Sequence, residues 1–211
     1  MTINIVICFI TVLSGATLGY IPLDIIQLLW TNLVMDILGA LALGTEPPAA
    51  DSTTKRISRK EAIILPEMWR NIILMSLYEI IVMVILMFFG QFMFFEKSFD
   101  LYMPLRKEGE PTDRLVLNTI LFYTFILMNL FNQFNCRVLE DHKYNILSGI
   151  YKSYIFVLVL AFEFFLSWGM TWVGETPLGS ALIGTANMKW NMHLYCWLQG
   201  ASVLLVQLII K

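Results

Sequence analysis

The chain has 211 residues, of which 58% are apolar and only 14% charged, and its mean hydropathy is +0.70. Such values lie outside the range of soluble globular domains and describe an integral membrane protein whose main partner is the lipid bilayer. A formal net charge of −2 argues against nucleic acid as a partner and against a strongly basic role at a membrane surface.

Apolar runs long enough to cross about 30 Å of hydrocarbon fall at about 3–20, 25–44, 71–95, 115–135, 153–173 and 191–210. The predicted fold class is all-α, a polytopic membrane bundle of six transmembrane helices forming one domain over 1–211. The first run is short and is joined to the second by a few residues around Pro22, which reads as a tight helical hairpin. Gly15 and Gly19 make a GxxxG pair suited to close helix packing, and Asn4 lies near the start of the run. Apolar sequence follows Met1 directly, without the basic region of a cleaved signal peptide.

The second run carries the strongest chemical signal. In QLLWTNLVMDILGALALGTEPP, residues 27–48, Asn32 and Asp36 lie near the middle of an apolar helix that bears no other charge. An aspartate at the centre of a membrane helix costs roughly 2.5–3.5 kcal/mol, so it normally faces a partner, a cavity or an ion. Residues four apart share one helical face, so the pair can offer oxygens to a single hard cation. The alternative is structural: a buried Asn/Asp pair could hydrogen-bond across helices and hold the bundle together. Calcium takes about six to eight oxygens and these two side chains supply about three, so this chain alone does not complete a tight calcium site.

Beyond Glu46-Pro47-Pro48, which stops the helix, a polar insertion reaches residue 70. Glu79 lies within the third run, Asn129, Asn132 and Asn135 on the fourth and Glu163 within the fifth. Interhelical hydrogen bonding is the default for the asparagines, and each mid-span carboxylate demands a partner. Cys8, Cys136 and Cys196 form no CxxC pair, and His142 and His193 stand apart, so neither a disulfide framework nor a His/Cys metal site is indicated. Segments 45–70, 136–152 and the C-terminus hold nine Lys and Arg residues against five in the opposite connections, which favours cytosolic termini. Trp69, Trp172 and Trp190 fall near run ends, where an interfacial indole is favourable. No internal repeat or pair of inverted halves is visible, which lowers the case for a secondary transporter.

The segment 27–48, with its NLVMD core and trailing ALALGTEPP, resembles the sixth transmembrane helix of P-type calcium-transporting ATPases, most closely the plasma-membrane type. MNLFNQFNCR, residues 128–137, resembles that family's eighth helix, and TINIV, residues 2–6, part of its fifth. The resemblance implies that the six runs are helices five to ten of a ten-helix pump, with Asn32 and Asp36 as calcium ligands and Asn4 and Asn129 as weaker candidates. Ile7 and Asn129 stand where the two-site reticulum pumps carry acids, and Met35 where they carry a hydroxyl, so one calcium per cycle is implied. Thr31 and Ile37 depart from the commonest family residues.

The family's DKTGT, TGES and PEGL motifs are absent from the chain, and so is any catalytic centre for ATP. By resemblance, Ca2+ is the transported ion, while ATP and Mg2+ act only in the full-length protein. The partners are then the N-terminal helices and cytosolic domains of the same pump, and the insertion between Glu46 and Arg70 is placed to touch its phosphorylation domain. Plasma membrane and internal, vacuolar membranes both house similar pumps. Two other classes compete: an ion-coupled secondary transporter using Asp36, Glu79 and Glu163, and a non-catalytic membrane anchor.

Overall fold

The computed structural model describes residues 2–17, 23–45, 66–95, 113–137, 153–174, 176 and 183–210. Those residues form helices only: α1 Thr2–Thr17, α2 Ile25–Gly44, α3 Pro66–Phe95, α4 Asp113–Arg137, α5 Tyr154–Val173 and α6 Trp190–Ile210. Five of them, α2 to α6, are long and apolar enough to cross a membrane. The all-α membrane bundle expected from the apolar runs is therefore present. α1 is the exception in length, because its 16 residues rise only about 24 Å, less than the hydrocarbon thickness. Gly19 of the GxxxG pair, Pro22, His142 and the polar insertion beyond Thr45 up to residue 65 lie outside the described residues.

α4 is the axis of the bundle. Its apolar stretch is 83% buried, against 22–39% for the other four spans. One apolar core joins α4 to α1, α3 and α6 through Val6, Ile10, Met83, Leu86, Leu117, Leu121, Phe125 and Cys196. A second lies on the other flank, where Met35 of α2 and Met170 of α5 meet Phe122, Ile126 and Leu130. Further along, Ala42 packs with Phe156 and Val159 beside Phe134. α4 thus lies between an α1–α3–α6 group and an α2–α5 group, which also meet directly where the Phe164 and Trp197 rings stand 4.7 Å apart.

The start of α2 is tied down by polar contacts. Asp24 is the N-cap, its carboxylate accepting from the Ile25 N–H at 2.9 Å, while Gln27 Oε1 accepts from the Asp24 N–H at 3.1 Å. Gln27 Nε2 then donates to the carbonyls of Ile183 and Gly184 at 3.1 and 3.3 Å, fastening α2 to the segment that leads into α6. Gly184 has φ +66°, and a Cβ there would stand 3.0 Å from Asp24 Oδ2. A residue with a side chain would be strained at this backbone angle and would crowd the Asp24 carboxylate. The same segment is anchored on α4, where the Ala186 N–H donates to Thr119 Oγ1 at 2.9 Å.

Trp69, Trp172 and Trp190 are 45%, 72% and 79% exposed at helix ends. They sit where indoles would meet the lipid interface.

Candidate ion site

α2 is not a uniform α-helix. Residues Thr31–Met35 form a turn of π-helix, and the Asp36 N–H donates to the Thr31 carbonyl five residues back. The Asn32 carbonyl, its partner in a regular α-helix, is passed over by this donor. Such wide turns are rare, and they recur at functional sites because they re-aim side chains without breaking the helix. Thr31 Oγ1 closes onto the Gln27 carbonyl at 2.8 Å, a back-bond that also loosens a helix ladder.

Asn32 lies within this turn and Asp36 directly follows it. Thr31 and Met35 point into the bundle, both 1% exposed, whereas Asn32 is exposed and Asp36 half-buried. The amide thus faces outward and the carboxylate lies at the edge of the core, and no hydrogen bond among the described residues runs from either to another helix. Asn4 lies on the exposed face of α1. Asn129 is buried in α4, with Nδ2 donating to the Phe125 carbonyl at 2.8 Å and Oδ1 without a partner. No hydrogen bond among the described residues links Asn4 or Asn129 to Asn32 or Asp36, nor do three or more His, Cys, Asp or Glu side chains gather there.

The other two mid-span acids receive partners from α4 that their own runs do not reveal. Glu163, 0% exposed, accepts from Gln133 Nε2 at 2.7 Å, and Glu79, also 0% exposed, is met by Asn132 Nδ2 at 3.5 Å. Asn135 Nδ2 reaches across to the Val203 carbonyl of α6 at 3.4 Å. Asn132 and Asn135 thus behave as interhelical donors, as expected. Gln133 was not singled out by the sequence; the signal was its place in a polar run, Asn129-x-x-Asn132-Gln133-x-Asn135.

Gln133 also touches α2. A Cβ on Gly39 would lie 2.9 Å from Gln133 Nε2, so the missing side chain lets α2 close onto the Gln133–Glu163 pair. Gly39 is three residues beyond Asp36. The turn that carries the candidate ligands therefore stands directly above a small-residue contact held by two polar groups.

Residues 20–211 match the family model described as cation transporting ATPase, C-terminus. The chain belongs to that family. As the C-terminal membrane part of a cation-transporting ATPase, it is similar over its whole length to calcium-transporting ATPase 1, plasma membrane-type, of Oryza sativa subsp. japonica, at 36% identity over 18% of that protein. Calcium-transporting ATPase 4, plasma membrane-type, of Arabidopsis thaliana is 34% identical, again over all of this chain and 19% of its own length. Calcium-transporting ATPase 12, plasma membrane-type, of the same plant is 38% identical over 76% of this chain and 14% of its own length. The cation-transporting ATPase segment thus spans less than a fifth of the relatives it matches.

Proposed function

We propose that 1–211 is one membrane domain of an ATP-driven calcium pump, and that Asn32 and Asp36 supply side-chain oxygens to its intramembrane calcium site. The observation that carries this reading is the π turn at Thr31–Met35, which leaves Asn32 exposed and Asp36 half-buried at the edge of the bundle. A carboxylate placed so in a span is costly unless something outside the chain completes its surroundings. A calcium ion held jointly with helices outside the chain does so, since about three oxygens come from this pair and about six to eight are needed. The likeness to plasma-membrane-type calcium-transporting ATPases favours this over a gradient-driven transporter or a passive anchor.

Asn4 and Asn129 are secondary candidates. Asn4 is exposed on α1 and Asn129 keeps a free Oδ1 in α4, but neither contacts the pair. Calcium is the cargo, and its nucleotide and Mg2+ bind domains outside this chain. Movement in those domains, driven by phosphorylation, would tilt α2 and alter the spacing of its oxygens from those of the partner helices. Site affinity then alternates between the two sides of the membrane. Both termini face the cytosol, in the plasma membrane or an internal membrane such as the vacuolar one.

In the complete pump, Asp36→Asn should abolish calcium-dependent phosphorylation by ATP while phosphorylation from inorganic phosphate persists. Normal calcium affinity in that variant would refute the role. Uptake of radiolabelled calcium into vesicles, with and without ATP, separates a pump from a gradient-driven carrier.

A further inference from the structure

Hydrogen bonds tie α2 to the rest of the bundle at one place. Among the described residues, those that run from an α2 side chain to another element all come from Gln27, 1% exposed, whose Nε2 donates to the Ile183 and Gly184 carbonyls at 3.1 and 3.3 Å. The strap that Gln27 holds, residues 183–189, is itself fixed to α4 and α6. The Ala186 N–H donates to Thr119 Oγ1 of α4 at 2.9 Å, and Thr119 is 0% exposed with its hydroxyl donating to the Leu115 carbonyl at 2.7 Å. The Lys189 carbonyl accepts from the Met192 N–H at 2.9 Å in the first turn of α6.

Gln27 also reaches along α2. Its carbonyl accepts from Thr31 Oγ1 at 2.8 Å, and the Thr31 carbonyl is the one that accepts the Asp36 N–H across the wide turn. Hydrogen bonds and short backbone steps thus form one line from Thr119 in the buried axis, through Ala186, Gly184, Gln27 and Thr31, to the residue that bears the candidate carboxylate.

A helix fastened at one end and loosened further along gives way at the loose turn. α2 is fastened at Gln27 and loosened over Thr31–Met35, and beyond that turn Gly39 and Ala42 hold it to its neighbours by packing alone. At a rise of about 1.5 Å per residue, Asn32 stands about 7 Å along the axis from Gln27 and Asp36 about 13 Å. A swing of about 5° about Gln27 then moves Asn32 by about 0.6 Å and Asp36 by about 1 Å, whereas calcium–oxygen distances span only about 2.3–2.6 Å. A pivot at this end therefore shifts the two candidate ligands unequally, and a small swing is enough to spoil a calcium shell.

We infer that Gln27 is a positioning residue for ion release: by pinning the outer end of α2 to the strap and, through Thr119, to α4, it makes that end the pivot of the helix and so lowers the calcium affinity of the outward-facing site. The inference rests on the calcium reading of Asn32 and Asp36 and on the orientation that puts both termini in the cytosol. Without the pin both ends of α2 shift together, the two side chains keep their places relative to each other, and the outward-facing site keeps its grip on the ion.

The complete pump in sealed vesicles provides the test. Cytosolic affinity is read from calcium activation of phosphorylation by ATP. Outer affinity is read from the calcium concentration on the outer face that returns the phosphorylated protein to a form able to pass its phosphate back to ADP. Gln27→Met, which keeps the length of the side chain and removes both polar groups, should raise the outer affinity severalfold relative to the cytosolic one. Thr119→Val, which leaves α2 untouched and frees the strap from α4, should do the same, while Thr119→Ser should match the unaltered protein. The double variant should move the ratio no further than either single one, because both cut the same line. Equal shifts of both affinities, a lower outer affinity, or lost thermal stability with an unchanged ratio reduce Gln27 to a structural tie and overturn the inference. Should Gln27→Met fail to fold, the Thr119→Val ratio decides alone. Asp36→Asn run alongside keeps two failures apart: intact calcium-dependent phosphorylation in that variant refutes the calcium site itself, whereas its loss together with an unchanged ratio in Gln27→Met refutes the pin only.

Discussion

Single residues set the polar chemistry of this bundle, and Gln133 carries two tasks at once. It satisfies Glu163 at 2.7 Å and abuts Gly39 of α2. Gly39→Ala would force its new methyl against the Gln133 amide, and overpacking of this kind costs typically 1–3 kcal/mol. We expect a lower unfolding temperature for the detergent-solubilised complete protein, read by thermal scanning. Gln133→Ala should destabilise by a similar 1–3 kcal/mol, because it leaves a buried carboxyl oxygen without its donor. Glu163→Gln, which keeps an acceptor for Gln133, should fall well short of that loss. The acids Glu79 and Glu163 could be picked out as out of place in apolar runs. Their partners could not, because hydrogen bonds across helices depend on which faces meet, and facing is a property of the packed bundle.

At the level of elements, α2 departs most from what periodicity suggests. An even helical spacing puts Asn32 and Asp36 one above the other on one face, and the π turn between them instead widens the ladder at that point. A wide turn accommodates about one residue more than an α turn, so deleting Val34 should restore a regular helix with its flanks in place. The expected result is retained thermal stability together with loss of calcium-dependent phosphorylation in the complete pump, read by assaying both on the same preparation. At the other end of α2, Gly184→Ala must adopt a left-handed backbone angle and crowd Asp24, at a cost of about 1–2 kcal/mol. Its effect should appear as a lower unfolding temperature. Neither feature was visible beforehand: the wide turn leaves no composition signature, and the cap at Asp24 gains its strength from Gln27 reaching a segment 156 residues away.

For the whole molecule, polarity and length were enough to establish an all-helical membrane protein, because no water is available inside lipid and each span must satisfy its own backbone. Many large apolar side chains remain exposed on the helices, Phe9, Leu33, Phe89, Phe165 and Ile209 among them, and such faces suit contact with lipid. The charge bias predicts that a protease site inserted between residues 50 and 60 is cut from the cytosolic side only; cutting from the other side would invert the orientation. Composition and the NLVMD motif carried class, family and the candidate ligands, since the cost of a charge in hydrocarbon is local and can be read residue by residue. Packing supplied what no linear pattern holds: α4 as the buried axis, Gln133 and Asn132 as partners of the acids, and the tie from Gln27 to the strap before α6. Those arise where faces of distant segments meet, and the energy of such a meeting belongs to the assembled bundle rather than to any one stretch of chain.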